Sequence, residues 1–509
     1  MGLITAAILQ VLDTTIVNVA LPQMAGNLGA TSQEIGWVVT GYILSNVIFL
    51  PMTAFLTVRF GRKRYLTASI IIFIASFFCG TSHSLGEIVF WRVLQGAGGA
   101  AVLSTSQATL VQVFPRRKQG LVQSVFMMSL TVAPTLGPTL GGYITDNYTW
   151  NWCFLINVPI GIVAAFLVMT FLHDTEKPSK SGTVDWLGIG LLASGLGAMQ
   201  YVLEEGERND WFQDSFITTL AVISAVSLVT LVWWQLSPRN PAPVIDFRVL
   251  QNRTLAAALI LFIALGFGLY GGTYLFPLWA QTVLGFTSMQ TGLALLPGGL
   301  ATAASIIVCG FILNRPKPLV DPRIIILFGT VVMMVSMWQL GHMSTQSGSA
   351  DTTLALLARG FGTGFLFVPI NQAAFASLKK SELQQASGLL SLSRQLGGSF
   401  GIALLATFVQ KHIQLHRVDL LRNYSDSNLL FVQRLHGLTG SLAAHGMGLA
   451  QAQQSALAMM EQALMRQAMT MSYNDAFLTM LVINLLTLPA VLLLRRSKPG
   501  GHAELAMIE

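Results

Sequence analysis

Apolar residues run along this chain in stretches of about 18 or more, parted by short polar breaks, which is the pattern of membrane-spanning helices. Fourteen such segments are readable, at roughly 2–24, 36–57, 65–83, 87–108, 121–143, 152–172, 185–204, 215–236, 254–276, 289–313, 323–342, 352–371, 386–410 and 473–495. When fourteen segments alternate across a bilayer, the basic clusters Arg59/Arg62/Lys63/Arg64, Arg116/Arg117/Lys118, Arg315/Lys317/Arg323, Lys379/Lys380 and Arg495/Arg496/Lys498 all fall on one side. Short loops on the other side carry Glu34, Asp146 and the cluster Glu204/Glu205/Glu207/Asp210/Asp214. The positive-inside rule places the basic side, and with it both termini, in the cytoplasm. The charge pattern also tests the count, because an odd error would scramble every later loop.

The predicted fold is therefore an all-α polytopic membrane protein in two six-helix halves, 1–172 and 254–495. A linker and two inserted central helices occupy 173–253, and a tail follows at 496–509. Each half carries an intramembrane arginine in its fourth helix: Arg92 in Trp91-Arg92-Val93-Leu94-Gln95-Gly96-Ala97-Gly98, and Arg359 in Ala358-Arg359-Gly360-Phe361-Gly362-Thr363-Gly364. Such an internal echo fits a six-plus-six transporter. A long extracytoplasmic loop is expected at 411–472. Within it, 451–471 lacks Pro and Gly and reads as a helix, either resting on the membrane or offering a docking surface.

Composition sharpens this in one direction. The 509 residues are 53% hydrophobic and 10% charged, against about 25% charged in soluble domains. The net charge of +7 sits in short loops, so it orients helices and does not call for nucleic acid. Cys79, Cys153 and Cys309 lie in apolar segments, where neither a disulfide framework nor a metal site is expected. No charged stretch precedes the first apolar run, which reads as a spanning helix and not as a cleaved signal. The sequence has no Walker A motif, dinucleotide fingerprint or nucleophile elbow, so no cofactor and no catalytic residue is expected. An ion gradient is the remaining energy source, at roughly 2.3 kcal/mol per charge per 100 mV.

Asp13 is the one carboxylate in the middle of a predicted span, and an intramembrane charge marks an ion or proton pathway by default. Gln10, Thr14 and Asn18 share its side of the helix. Arg92 is its natural partner, and Gln95, Gly96 and Gly99 on the same face let a neighbour approach. An architectural role for Arg92, pinning backbone carbonyls, is an equal reading. Arg359 and Arg394 are expected to be structural, and Glu87 a solvated helix end. Candidate cavity residues are Asn18, Tyr42, Asn46, Tyr270, Tyr274 and Asn371, with Ser45, Phe49 and Phe267 beside them. Such a pocket suits bulky apolar or aromatic compounds; ordinary helix packing is the competing account of each residue.

The segment Ala133-Pro134-Thr135-Leu136-Gly137-Pro138-Thr139-Leu140-Gly141-Gly142 holds two prolines and three glycines inside a spanning helix. At four-residue steps Ser129, Ala133, Gly137 and Gly141 form a nearly bare ridge, against which another helix can pack closely. A bent helix acting as hinge and seal is expected here.

These residues resemble the major facilitator superfamily, and within it the fourteen-helix drug:proton antiporters of the EmrB/QacA type, closest to the EmrB branch. The resemblance covers essentially the whole chain. Leu12-Asp13-Thr14-Thr15-Ile16-Val17-Asn18-Val19-Ala20-Leu21-Pro22 looks like that family's helix-1 motif. Positions 92–99 look like the helix-4 motif whose arginine is associated with proton coupling. Positions 133–142 are similar to the helix-5 antiporter motif, with Ala133, Pro134, Gly137, Pro138, Gly141 and Gly142 in place. Trp150-Asn151-Trp152-Cys153-Phe154-Leu155-Ile156-Asn157-Val158-Pro159-Ile160-Gly161 resembles the signature before helix 6. The loop after helix 2 keeps Arg59, Gly61, Arg62 and Lys63 of the family's cytoplasmic motif but has Val58 at its acidic position, which puts the proposed charge gate in doubt.

The resemblance implies a proton-coupled multidrug exporter of the bacterial inner membrane, expelling amphipathic or hydrophobic compounds by alternating access. Its partners would be small amphipathic substrates, membrane lipids, and a periplasmic adaptor with an outer-membrane channel. Rival readings are an exporter of one endogenous metabolite, lipid or siderophore, a facilitative uniporter or importer, and a non-transporting scaffold or receptor.

Overall fold

The computed structural model of the chain describes residues 2–31, 34–172, 184–240, 242–313, 320–376, 378–379, 382–422, 424 and 428–494. The linker stretch 173–183 and the tail 496–509 lie outside these, as do Arg315, Lys317, Lys380, Arg495, Arg496 and Lys498. The described residues form helices and no strands.

The first half contains α1 (Gly2–Leu28), α2 (Trp37–Phe60), α3 (Arg62–Phe73) with α4 (Ser76–Thr81), α5 (Leu85–Val113), α6 (Arg116–Asn147), and α7 (Trp152–Leu155) with α8 (Asn157–Phe171). The inserted pair is α9 (Trp186–Glu205) and α10 (Ser215–Leu236). The second half contains α11 (Arg253–Thr282), α12 (Ser288–Leu313), α13 (Pro322–Leu340), α14 (Ser349–Ala376) and α15 (Leu383–Leu421). It closes with α16 (Leu429–Ala444), α17 (Leu449–Leu486) and α18 (Leu488–Leu493). Among the described residues, twelve helices are long and apolar enough to cross a membrane, counting α3–α4, α7–α8 and α17–α18 as one span each. Helices α5 and α6, of 29 and 32 residues, have the length but carry more polar residues. Together they match the fourteen expected segments.

Each half has a bare-backbone seam. In the first, α5 packs on α2 and α3, and α1 on α6. In the second, α11 packs on α15, and α14 on α12 and α13. Glycines make these approaches possible: a Cβ on Gly98 would stand 2.6 Å from the Ser69 carbonyl, and one on Gly362 2.8 Å from the Met333 nitrogen. Gly61, at φ +84°, turns the chain from α2 into α3 in one residue, a conformation that side chains disfavour.

The halves meet near the basic end of the bundle. One apolar cluster draws Leu110, Phe126 and Met127 from the first half and Ile306, Phe367 and Leu383 from the second. Polar bonds cross the same seam: Gln107 Nε2 donates to Asn371 Oδ1 (2.6 Å), Ser387 Oγ to the Ser104 carbonyl (2.8 Å), and Gln384 Nε2 to Thr105 Oγ1 (3.1 Å). The inserted pair contacts both halves, α9 lying against α2 and α15. Trp211 Nε1 donates to Thr407 Oγ1 (2.8 Å) and Gln200 Nε2 to Ser399 Oγ (2.9 Å), near the acidic end.

The expected loop at 411–472 is mostly helix. Helix α15 continues to Leu421, and α17 starts at Leu449 and enters the last span without interruption. At 1.5 Å per residue, the 39 residues of α15 make about 58 Å, far more than the ~30 Å hydrocarbon core needs. Apolarity marks where a helix meets lipid; it does not mark where the helix ends. Toward their acidic-side ends, α15 and α17 hold each other through Arg417–Glu461 (2.7 Å) and His416–Asp475 (2.7 Å). Ala452, Ala456, Met460, Leu464 and Ala468 form a buried stripe on α17, which packs against α15 and α16. The 451–471 helix thus packs on protein.

Candidate functional site

Asp13 lies eleven residues into α1, about 17 Å along its axis, and is 0% exposed. Its carboxylate accepts three hydrogen bonds. Arg92 Nη1 donates to Oδ2 (2.6 Å), while Gln95 Nε2 (3.1 Å) and Asn157 Nδ2 (2.6 Å) donate to Oδ1. A buried ion pair is tolerable only when its remaining lone pairs and protons are also satisfied, and this one nearly is. Arg92, 1% exposed, donates Nε to the Val38 carbonyl (2.9 Å) and Nη1 also to Gln95 Oε1 (2.8 Å). Its guanidinium lies 4.4 Å from the Tyr42 ring centre and 5.6 Å from that of Phe154. The ion-pair and carbonyl-pinning readings of Arg92 therefore both describe contacts it makes.

Two interruptions in spans supply further donors. The break between α3 and α4 places Ser76 at a helix start, and the break between α7 and α8 does the same for Asn157. Asn157 Nδ2 is also 3.1 Å from Ser76 Oγ, which donates to the Phe154 carbonyl (2.8 Å). Irregular backbone at membrane depth survives where protein encloses it. Sequence reasoning missed Asn157 as a donor to the carboxylate and Ser76 as the residue that accepts from the same amide. Asn157 stood inside the 150–161 signature two residues before Pro159, a helix-start signal; Ser76 had no signal.

The glycine ridge of α6 presses on α1 one turn beyond Asp13. A Cβ on Gly137 would strike the Thr15 side chain, and one on Gly141 would stand 2.7 Å from the Ile16 carbonyl. Ala133 is buried and Pro134 half-buried, while the Pro138 side chain lies outside the described residues. Helix α6 runs through both proline positions as one element.

The candidate cavity residues divide. Tyr42 and Asn46 are buried against α5: Tyr42 OH accepts from Gln10 Nε2 (3.1 Å), and Asn46 Nδ2 donates to the Gly96 carbonyl (3.2 Å). Asn371 belongs to the seam. Asn18 and Tyr270 are exposed and Tyr274 half-buried. Glu87 helps cap the start of α5, Ser84 Oγ accepting from the Glu87 nitrogen and Glu87 Oε2 from the His83 nitrogen. Arg359 Nη2 donates to Thr273 Oγ1 (2.9 Å) and the Leu269 carbonyl (3.4 Å). Arg394 makes no hydrogen bond or ion pair with a described residue.

A buried, hydrogen-bonded carboxylate–guanidinium pair inside a two-half helical bundle is an arrangement that fits a membrane transporter. The Major Facilitator Superfamily model matches residues 3–402. The multidrug export protein EmrB of Escherichia coli strain K12 is 31% identical over 475 residues, covering 93% of this chain and 90% of that protein. Its namesake in Haemophilus influenzae is 33% identical, covering 84% and 83%. The fatty acid resistance protein FarB of Neisseria gonorrhoeae is 30% identical, covering 98% and 96%. Among solved structures, the human organic anion transporter MFSD10 superposes with a TM-score of 0.57 at 14% identity, over 95% of this chain and 98% of that one, which bears on fold alone. The chain belongs to the major facilitator superfamily, in its EmrB-type antiporter branch.

Proposed function

We propose that this protein is a proton-coupled multidrug exporter that expels amphipathic compounds across the bacterial inner membrane. The observation that carries the reading is the enclosed Asp13–Arg92 pair. A carboxylate so held exchanges a proton only when the surrounding helices move, which ties proton transfer to conformational change. Loading Asp13 with a proton removes its attraction for Arg92 and leaves Gln95 and Asn157 as neutral partners. The Gly137–Thr15 contact transmits that change to α6, which packs on α12 of the other half.

The basic end is the cytoplasmic one, by loop charge, so the seam at that end makes this an outward-facing state. Opening the seam and closing the opposite end completes alternating access. Asn18, Tyr270 and Tyr274 line the substrate route. The α15–α17 extension reaches into the periplasm, where it meets an adaptor leading to an outer-membrane channel. Arg59, Gly61, Arg62 and Lys63 serve as the loop of the first half that remodels as the seam opens.

The test is transport of several unrelated dyes into or out of proteoliposomes with an imposed pH gradient. The expected result is dye flux that follows the gradient and disappears in Asp13→Asn. Flux that persists after Asp13→Asn and after gradient collapse sinks the antiport reading, and strict selectivity for one compound favours a dedicated exporter.

A further inference from the structure

We propose that Arg394 is the headgroup-binding residue of a site for amphipathic anions, built into the seam between the two halves. It lies eleven residues into α15, about 17 Å from the basic end of that helix, and is 9% exposed. Its Nε is enclosed with no acceptor in reach. The nearest stabilising group is the Phe367 ring, 5.4 Å from the guanidinium carbon. Among the described residues no carboxylate pairs with it. A guanidinium held at this depth without a counter-charge is costly. The contrast with Arg92, which has three acceptors, and Arg359, which has two, leaves Arg394 as the cation poised for an external partner.

The surroundings say what that partner is. Arg394 lines a cavity of about 10 Å³ together with Gln107, Ser391, Asn371, Phe262, Phe367 and Met127, room for at most one water. Of the polar members, Gln107 and Asn371 bond to each other across the seam. When the halves part, that bond breaks, and an amide from each half joins the guanidinium around an enlarging space. A guanidinium with flanking amides matches a carboxylate, sulfonate or phosphate. The aromatic and thioether side chains next to it match a hydrocarbon tail. The bound anion thus replaces the bonds that hold the seam shut.

This assignment rests on the exporter reading only for the fate of the ligand, so it is tested by equilibrium binding without any gradient. The protein is placed in phosphatidylcholine nanodiscs at neutral pH, and radiolabelled decanoate binding is read by scintillation proximity with empty nanodiscs subtracted. Wild type is expected to bind decanoate saturably, with decanol and decyltrimethylammonium displacing it at least about tenfold more weakly. Arg394→Gln should lower decanoate affinity at least about tenfold, and Arg394→Lys, which keeps the charge without the fork, should lose less. Adding phosphatidylglycerol separates the sources of such an anion: competition with decanoate assigns the site to a lipid headgroup as well, and its absence to a free amphiphile. The proposal is overturned if wild type shows no saturable decanoate binding. It is also overturned if decanol displaces as well as decanoate, or if Arg394→Gln binds like wild type. Loss of gradient-driven flux with these binding results intact would sink the exporter reading alone.

Discussion

Arg92 and Arg359 hold corresponding places, each near the acidic end of its half's fourth long helix, yet they are used differently. Arg92 meets a buried carboxylate, and both side chains are hydrogen-bonded on several sides. Arg359 meets a hydroxyl and a carbonyl of α11 and fastens two helices of the second half. The opposing stretch on the first helix of each half differs, Asp13 on α1 against 269–273 of α11 with no acidic residue, and so does the residue one turn on, Gln95 against Gly362. On the proposed exporter reading the two halves therefore divide the work: the Asp13–Arg92 pair of the first serves coupling, and Arg359 of the second serves packing.

The largest test of that division compares Asp13→Asn with Arg359→Gln in gradient-driven dye transport. Asp13→Asn strips Arg92 of its counter-charge and should lower stability by about 3–5 kcal/mol, with transport falling to the level of wild type without a gradient. Arg359→Gln should keep gradient dependence at a reduced rate. Equal loss of coupling in both would erase the distinction.

Next in size is Gly137→Leu. The side chain would drive into Thr15 and Ile16, and overpacking of this kind destabilises by about 1–3 kcal/mol. Membrane insertion, followed by quantitative blotting of the membrane fraction, should survive while transport is abolished. Normal transport would remove the close contact from the mechanism.

Much of this was readable in advance because membrane burial makes unusual residues conspicuous. Asp13 and Arg92 stood out as charges in apolar runs, and the bare ridge at Gly137 and Gly141 stood out by its spacing. Neutral polar residues carry no such flag. Asn157 became visible as a donor to Asp13, and Ser76 as an acceptor beside it for the Asn157 amide, only when two helix breaks brought them together. Asn371 and Tyr42 were legible as polar groups in spans but not as members of the seam and the arginine cage, since partner choice is set by helix rotation. The helix at 451–471 was legible, but the continuation of α15 to Leu421 and the presence of α16 were hidden for another reason: outside lipid, hydropathy stops reporting on helix length.

A smaller effect sharpens the same point. Asn157→Ala leaves the ion pair intact but removes one donor from Asp13 Oδ1. The loss should be about 1–3 kcal/mol, seen as a lower melting temperature in detergent, with transport slowed and still coupled. A melting temperature equal to wild type would show that Gln95 and Arg92 suffice.

The inserted pair supplies a third case, a carboxylate held by neutral donors. Asp185 caps α9, and its oxygens accept from Trp234 Nε1 (2.8 Å), the Gly188 nitrogen (2.8 Å), Gln235 Nε2 (2.8 Å) and Asn240 Nδ2 (2.7 Å). Burial pushes the Asp185 pKa up, but the four hydrogen bonds together outweigh it and hold the group below the usual carboxylate range. A depressed folded-state pKa adds stability above the unfolded value of about 3.9, and that stability fades as pH falls through the folded one. Hydrogen exchange of α9 and α10 should therefore rise below about pH 4 in wild type. In Asp185→Asn it should be higher already at neutral pH and change less with acid. Unlike Asp13→Asn, this substitution leaves no buried cation without a partner, so its effect should stay local to the inserted pair, with coupled transport retained. Identical acid sensitivity in wild type and Asp185→Asn would show that another group governs the pair, and loss of coupling would show that the inserted helices take part in the proton cycle.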